Sequence, residues 1–275
     1  MLLLSIIGVS IQSPNFFVSS FSLLYNSFKL LNFSDEIINE IISVLSSIEK
    51  QSEIIDIGTG NGLFVKVLNK AGYMNISAHE IKGSDLSKIE KYAKQIYQDF
   101  DYSCIPSRKF DAVTMLDVLE HVLDPQFLIN SVSRILKEDG RIYFHTPVVT
   151  RTDIFMHFLL KLPIINKVAV IWQRGRTSIF HLENYTKKSI NILLDQAGFN
   201  QVKIILTNEL SWPVKRYVEI YLFEKNILSK KLQFISPLLA LMLYPFLASN
   251  FFNANKAIVM AQKNTNLPES KTVWH

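Results

Sequence analysis

A cluster of three glycines is the feature of this sequence best suited to shape a binding site. Gly58, Gly60 and Gly62 are three of only nine glycines in 275 residues, and they follow a short apolar run. Glycine turns tightly without strain and lets a ligand approach the backbone closely. The nicotinamide fingerprint places its third glycine one residue later. The carboxylate of Asp56, just before the cluster, would also repel a pyrophosphate. The pattern therefore disfavours a nicotinamide-dependent oxidoreductase and favours a ligand with a positive centre and no phosphates.

Alternating strand and helix patterns surround this cluster. Apolar runs predict strands at residues 52–58, 75–81, 96–98, 110–116, 141–147, 201–207 and 256–262. Helical spacing and capping residues predict helices at 34–50, 61–71 and 186–197, a short helix opened by Ser87 and Glu90, and a helix from Pro125 that stops before Gly140. This alternation is typical of a doubly wound α/β sheet, which binds ligands beyond the carboxyl ends of its strands. The glycine cluster lies at such an end.

Composition restricts the class of protein further. Hydrophobic residues make up 48% of the chain and charged residues only 19%, with a formal net charge of +5. One cysteine excludes a disulfide framework and a cysteine-based zinc site. Basic patches with interleaved aromatic residues are missing, so we expect no nucleic-acid partner. A charge-poor, mildly basic chain instead favours contact with a membrane surface.

Three apolar stretches lie outside the sheet pattern, at residues 1–28, 154–172 and 232–255. The last is long enough to span a bilayer. However, pairing of 201–207 with 256–262 in one sheet would hold both its ends on one side of any membrane, and Pro237 and Pro245 interrupt a long helix. Interfacial helices with basic rims are therefore expected. The alternatives are additional core packing and a homodimer interface.

These patterns predict the domain organisation. We expect an N-terminal helical cap over residues 1–50. The main domain is predicted over 51–207 plus 256–263, with apolar helical insertions at 151–180 and 208–255.

Several segments together resemble class I S-adenosylmethionine-dependent methyltransferases, and the nearest branch is that of the quinone-biosynthesis O-methyltransferases. The segments, besides the glycine loop, are FDAVTMLDVLEHVLDP (110–125), RILKEDGRIYFHTP (134–147) and HLENYTKKSINILLDQAGF (181–199). The resemblance covers residues 50–150 well and 181–207 fairly. It implies a Rossmann-like, seven-stranded methyltransferase sheet and S-adenosylmethionine as the cofactor.

The resemblance also implies roles for individual residues. Glu80 matches the acid that accepts both ribose hydroxyls, and Asp99 matches an acid near the adenine amino group, with Asp101 as a rival. Asp117, just past the fourth strand, could line the cofactor pocket or cap the next turn. The other expected cofactor-binding residues come from the loop itself: Asp56, Gly58, Thr59, Gly60 and Gly62.

Methyl transfer to a hydroxyl group needs in-line geometry and a base, for which histidine is the usual residue near neutral pH. His121 and His145 follow or end predicted strands and are the candidate catalytic residues, with His181 a weaker one. Glu120 is a weak candidate metal ligand. The acids form no recognisable ligand spacing, so we expect no metal.

These features predict an S-adenosylmethionine-dependent methyltransferase that methylates an oxygen of a lipid-like or other apolar acceptor. A soluble glycan or small metabolite is the alternative acceptor, and a catalytically silent methyltransferase-fold scaffold at the membrane is the alternative class. The expected location is the cytoplasm, with peripheral contact at the inner face of the membrane.

Overall fold

The computed structural model describes residues 41–84, 86–159, 181–209, 214–224 and 228–264. The predictions for residues 1–28, for the first part of the helix at 34–50 and for residues 160–180 of the first insertion lie outside this range. The strands are β1 (Glu53–Ile57), β2 (Asn75–Glu80), β3 (Gln95–Gln98), β4 (Phe110–Leu116), β5 (Leu136–Pro147), β6 (Phe199–Thr207) and β7 (Lys256–Lys263).

The strands form one seven-stranded sheet in the order β3-β2-β1-β4-β5-β7-β6. Strands β1 to β5 pair in parallel, whereas β7 runs antiparallel to both β5 and β6. The strand order reverses at β1, and the glycine loop follows that strand directly. This topology confirms the predicted doubly wound sheet.

Helices cover both faces of the sheet or extend from its edge. They are α1 (Leu63–Lys70), α2 (Pro125–Ile135), α3 (Arg151–Leu159), α4 (Lys187–Gln196), α5 (Val214–Val218), α6 (Ser236–Leu247) and α7 (Asn250–Asn253). Residues 41–45 are also helical. Short 3₁₀ turns occupy Leu119–His121 and Lys230–Ile235, and a π turn occupies Glu219–Glu224. No described helix is long and apolar enough to cross a bilayer.

Two apolar clusters hold the helices against the sheet. On one face, Leu128, Ile129 and Val132 of α2 are fully buried with α4 side chains. On the other face, α1 and the residue pair Ile41 and Leu45 pack against the sheet. Burial of each large aliphatic side chain contributes about 1.5–3 kcal/mol. This packing also holds the loops that follow the ends of the strands in fixed positions.

Two local predictions were wrong. The segment opened by Ser87 contains turns rather than a helix. Gly140 does not end a helix, because α2 already stops at Ile135 and Leu136 pairs with Phe110 of β4. Gly140 lies instead in a bulge of β5, where a Cβ atom would stand 2.9 Å from the carbonyl oxygen of Lys137. Close backbone packing, not helix termination, requires glycine there.

The two insertions meet beyond the ends of β5 and β7. Helix α7 contacts α3, where the Arg151 guanidinium lies 4.0 Å above the ring of Phe251 and the Thr152 hydroxyl donates to the Phe252 carbonyl. Helix α6 packs on α5 in a separate small cluster. Pro245 lies within α6, near its C-terminal end, and does not end that helix. The segment as a whole forms the short helices α6 and α7 rather than one long helix.

Candidate active site

The glycine loop adopts a backbone that only glycine accepts easily. Gly58, Gly60 and Gly62 have φ angles of 67°, 58° and 75°. A Cβ atom on Gly58 would lie 2.6 Å from a methyl group of Val118, and one on Gly62 would lie 2.7 Å from Ile89. Backbone conformation and close packing therefore both exclude larger residues at these two positions.

Hydrogen bonds fix this loop to the end of β2. The amides of Gly58 and Thr59 donate to the His79 carbonyl at 2.9 and 3.1 Å. The Gly60 amide donates to Glu80 Oε2 at 2.5 Å, and Glu80 Oε1 accepts from the Ile81 amide. Glu80, the last residue of β2, thus contacts the glycine loop directly. Both were predicted to bind the cofactor. The carboxylate is buried and held in one orientation.

Asp56 lies at the junction of β1 and β4. Its Oδ1 accepts a hydrogen bond from the Thr114 hydroxyl at 2.7 Å, and the Thr59 hydroxyl donates to its carbonyl oxygen. Sequence reasoning missed Thr114, although a polar residue inside the apolar run of β4 was a usable signal. A small pocket beside the loop is lined by Asp56, Gly58, Thr59, Asn61, Leu63, Phe64 and Leu116.

Asp99 follows β3 and organises the turn that comes after it. Its Oδ1 accepts from the Tyr102 amide and lies 2.8 Å from His79 Nε2, while Oδ2 accepts from the Cys104 amide. Burial would raise the pKa of Asp99, but the hydrogen bonds from Cys104 and His79 hold it below its ordinary value. The rival Asp101 is exposed and bonds Ser103. Contact between Asp99 and an adenine stays a prediction.

A second group of polar residues lies beyond β4, on the 3₁₀ turn Leu119–His121. Glu120 is fully buried, and its Oε2 accepts from the Thr146 hydroxyl at 3.1 Å. Its Oε1 has no hydrogen-bond partner among the described residues. That oxygen lies 4.0 Å from Nε2 of both His121 and His181.

Two hydrogen bonds to backbone carbonyl groups hold the segment of His181 against the turn Leu119–His121. The Leu182 amide donates to the Glu120 carbonyl at 2.8 Å, and the Tyr185 hydroxyl donates to the Leu119 carbonyl. The rings of His121 and His181 are 5.0 Å apart, and their side chains are 14% and 19% exposed. These two histidine side chains are therefore mostly buried, with a small exposed part at the sheet edge.

Burial shifts the protonation of this group. Burial and the nearby charge of Asp117, opposed by Lys256, together raise the pKa of Glu120 to about 8. Burial, followed by repulsion from His121, lowers the pKa of His181 to about 4. At neutral pH the carboxyl group of Glu120 is therefore largely protonated and His181 is neutral. A neutral imidazole can accept a proton.

The same three side chains could hold a divalent cation. Ligand atoms of Glu120, His121 and His181 all lie within 4.8 Å of one another. Imidazole nitrogen and carboxylate oxygen are typical zinc ligands, and three protein ligands leave a position open for substrate. Because His181 is 60 residues from His121, these three residues form no metal-ligand spacing in the sequence. The absence of such a spacing is therefore no reason to expect a metal-free protein.

A third group surrounds Asp117, which has a φ angle of 51°. Its Oδ1 lies 2.9 Å from His145 Nδ1 and accepts from Lys256 Nζ at 2.7 Å. Burial alone would raise the pKa of Asp117, but the Lys256 ammonium and His145 hold it well below its usual range. The His145 side chain is fully buried. This geometry favours a supporting role for His145 over contact with an acceptor.

Lys256 is a site residue that sequence reasoning missed. In the sequence it is only one of the basic residues that flank the second insertion. As the first residue of β7, it lies at the edge where the parallel strands end, because β7 runs antiparallel to β5. The sequence does not show that β7 runs antiparallel to β5, so the position of Lys256 beside Asp117 could not be predicted.

A doubly wound sheet with a glycine loop after β1 and an acid after β2 is the arrangement of a methyltransferase domain. Residues 32–204 match the family model described as a methyltransferase domain, and the chain belongs to this family. The match confirms the predicted class, S-adenosylmethionine-dependent methyltransferases, and the predicted cofactor.

Curated relatives point to the predicted branch. The chain is 28% identical over 104 residues to the ubiquinone biosynthesis O-methyltransferase of Coxiella burnetii, covering 35% of this chain and 44% of the relative. It is 29% identical over 106 residues to the enzyme of that name from Actinobacillus pleuropneumoniae, covering 34% and 45%. The chain thus spans less than half the length of these relatives.

Solved structures share the fold. An S-adenosylmethionine-dependent methyltransferase from Archaeoglobus fulgidus is 15% identical, with a TM-score of 0.54 over 88% of this chain and 99% of that one. The Haemonchus contortus phosphoethanolamine N-methyltransferase 2, in complex with S-adenosyl-L-methionine, is 16% identical, with a TM-score of 0.52 over 83% and 52%. At these identities the likeness concerns the fold alone.

Proposed function

We propose that this protein transfers the methyl group of S-adenosylmethionine to an oxygen atom of a lipid-like or other apolar acceptor. The observation that carries the proposal is the meeting of three features at one sheet edge. These are the carboxylate-lined glycine loop, the partly exposed pair of His121 and His181, and the apolar insertions.

The cofactor would lie across the ends of β1 and β2. Glu80, oriented by the Gly60 amide, would accept hydrogen bonds from the two ribose hydroxyls. Asp56 would face the positively charged part of the cofactor, and Thr59 and the glycine amides would contact it from the loop. Asp99 is proposed beside the adenine, and Asp117 is proposed to line the pocket at the end nearer the methyl group.

Methyl transfer needs an acceptor oxygen in line with the methyl carbon and the sulfur. In the proposed step, a ring nitrogen of His121 takes the hydroxyl proton. The oxygen forms a bond to the methyl carbon while the carbon–sulfur bond breaks, and the electron pair stays on sulfur. The products are the methyl ether and S-adenosylhomocysteine. His181 lies near enough to His121 to take part in the proton transfer.

The apolar acceptor is supported by side chains that the insertions leave exposed. They are Ile154, Phe155 and Phe158 on α3, Leu238, Leu241 and Met242 on α6, and Phe251 on α7. Exposed apolar patches of this kind typically mark sites that bind ligands, membranes or proteins. Lys230 and Lys231 precede α6 and suit anionic headgroups. We therefore also propose peripheral membrane contact, with a homodimer interface as the competing use.

Transfer of labelled methyl groups tests the activity. Purified protein and labelled S-adenosylmethionine are incubated with lipid and polar extracts of the source cell. We expect label in the lipid fraction, and far less of it with His121→Gln. Label only in the polar fraction would replace the apolar acceptor with a soluble glycan or metabolite. A folded protein that binds S-adenosylmethionine by calorimetry without transferring label would be a silent scaffold, and one that binds none would contradict the proposal.

Co-sedimentation with anionic liposomes tests the membrane contact. The wild-type protein is expected in the pellet, and a Leu238→Gln, Leu241→Gln variant in the supernatant. Ile192→Gln is the matched control, because Ile192 is an exposed apolar residue on α4, away from the insertions. Loss of a dimer by the α6 variant in sedimentation, without any liposome binding by wild type, would favour the homodimer instead.

A further inference from the structure

Lys256 occupies an unusual position for a lysine. Its ammonium group lies inside the sheet edge, with a side chain only 16% exposed. A buried charge is costly unless charged or polar groups pair with it. Burial alone would lower the pKa of Lys256, but Asp117, Glu120 and Glu209 raise it above its ordinary value. The lysine is therefore a fixed positive charge among three acids.

On one side, Lys256 holds the residue that leads into the 3₁₀ turn of His121. Asp117 has a left-handed backbone, a conformation that favours glycine over residues with a side chain. Bonds from Lys256 and His145 to its carboxylate, and from its own amide to the His145 carbonyl, hold it in that conformation. The turn bearing Glu120 and His121 starts two residues later.

On the other side, Lys256 faces the root of the second insertion. Glu209 Oε2 lies 4.0 Å from its ammonium group. The amide and carbonyl of Glu209 are bonded to the side chain of Asn255, which donates at 2.8 Å and accepts at 2.7 Å. This pair joins the two ends of the insertion immediately before β7. Lys256 thus contacts both the insertion root and the loop of the site.

We propose that Lys256 is a positioning residue, which holds Asp117 and His145 so that the turn carrying His121 is correctly placed for methyl transfer. This inference rests on the proposed methyltransferase function and on His121 as its base. Lys256 itself does not contact the acceptor. Its loss should therefore reduce turnover more than it weakens cofactor binding.

The test compares Lys256→Gln with Lys263→Gln. Lys263 ends the same strand at the opposite sheet edge, and its side chain is 15% exposed, so it is closely matched in burial. We expect Lys256→Gln to lower kcat about 10–100-fold, as small misplacements of a catalytic group do. S-adenosylmethionine affinity and the KM for the acceptor should stay near wild type. Lys263→Gln should retain wild-type turnover.

A second readout does not require turnover. In protein labelled with ¹⁵N-histidine, the His145 ring signals should show the proton on Nδ1, facing Asp117. Lys256→Gln should shift those signals, and Lys263→Gln should not. If the wild type transfers no methyl group, the proposed function fails, while this measurement still decides whether Lys256 controls the Asp117–His145 pair.

Lys256→Arg keeps the charge and covers the case in which Lys256→Gln does not fold. We expect it to keep the His145 signals and most of the turnover. The proposal is overturned if folded Lys256→Gln turns over like wild type. It is also overturned if Lys256→Arg loses turnover while its His145 signals match those of the wild type.

Discussion

The proposed cofactor side of this sheet edge contains the glycine loop and Glu80, and the proposed acceptor side contains Asp117, the turn Leu119–His121 and Lys256. The two sides are assembled from segments at very different separations along the chain. On the cofactor side, the Gly60 amide meets the Glu80 carboxylate across 20 residues. On the acceptor side, Lys256 meets Asp117 across 139 residues. The first contact follows from one strand–helix–strand unit. The second depends on the arrangement of the whole sheet.

The two sides also differ in their polar surroundings. The loop amides on the cofactor side find nearby acceptors in β2. The proposed acceptor side contains a buried glutamate, one oxygen of which has no hydrogen-bond partner in the described part of the chain, together with two neighbouring histidines and a mostly buried lysine. The difference indicates that the cofactor side is a rigid binding frame, whereas the acceptor side retains groups able to accept a proton or a ligand.

The largest effect is expected on the acceptor side. His121→Gln should lower kcat by about 10²–10⁴-fold, the usual contribution of a general base, with S-adenosylmethionine affinity unchanged. His145→Gln is the comparison, and its effect should be smaller because His145 is buried beneath Asp117. Steady-state kinetics and calorimetry measure both. Equal losses in the two variants would remove the distinction between base and supporting residue.

A loss of stability with rising pH should come from the acceptor side. Burial raises the pKa of Glu120 to about 8, so between about pH 4.5 and 8 the folded state keeps a proton that the unfolded state loses. The contribution of Glu120 to stability should therefore fall as pH rises from about 4.5 to 8, by on the order of a few kcal/mol. The lowered pKa of His181 adds stability as pH rises from about 4 to 6.5, so the net loss of stability of the metal-free protein should fall between about pH 6.5 and 8. Glu120→Gln should flatten this dependence in thermal unfolding.

Glu183→Gln provides the control for that prediction, since Glu183 is exposed on the same segment as His181. It should leave the pH dependence of wild type intact. A cation held by Glu120, His121 and His181 would displace the proton. Adding Zn²⁺ at neutral pH should then stabilise wild type more than Glu120→Gln. A pH profile identical in wild type and Glu120→Gln would contradict the raised pKa.

Glu80→Gln should weaken S-adenosylmethionine binding about 10–100-fold without changing the pH profile of turnover. The substitution removes a charged acceptor, and hydrogen bonds to charged groups contribute about 1.5–3 kcal/mol. Glu53→Gln is the control, because Glu53 begins β1, at the end of that strand away from the glycine loop. Calorimetry measures the affinity of both variants. Wild-type affinity in Glu80→Gln would show that this carboxylate is only part of the loop support.

Gly58→Ala should have the smallest effect, about a tenfold loss of cofactor affinity, because a positive φ costs roughly 1–2 kcal/mol and the new methyl group meets Val118. Gly72→Ala has a similar backbone, with a φ of 89° and no atom within 4 Å of its Cβ position. It should lower thermal stability but not affinity. Similar losses of S-adenosylmethionine affinity in both variants would mean that backbone strain far from the glycine loop also weakens cofactor binding.

Sequence reasoning worked where the needed information was local. The pattern over 110–116 predicted β4 with its observed bounds, and α2 begins at Pro125 as predicted, where Asp124 caps it by accepting from the Phe127 amide. The match between the glycine loop and Glu80 also follows from strand–helix–strand spacing. The predicted doubly wound sheet was confirmed because its alternating pattern repeats along the chain.

The remaining features depend on contacts that no local spacing encodes. His181 reaches His121 only because Leu182 and Tyr185 bond the backbone of the 3₁₀ turn. Lys256 reaches Asp117 only because β7 inserts antiparallel between β5 and β6. Gly140 was misassigned for a similar reason, since glycine after a helical pattern reads as a helix end. Its actual constraint is a close backbone contact within β5.

The paired bonds between Glu209 and Asn255 have a consequence for how such proteins can diversify. They close the second insertion at its base, so the intervening 45 residues, 210–254, begin and end at neighbouring points on a finished sheet. The entropy of closing a loop grows only slowly with its length. Because its two ends are held together, the segment 210–254 can be lengthened, shortened or replaced by another segment while the sheet stays folded. Grafting this segment between related proteins would then transfer acceptor preference without rebuilding the cofactor site.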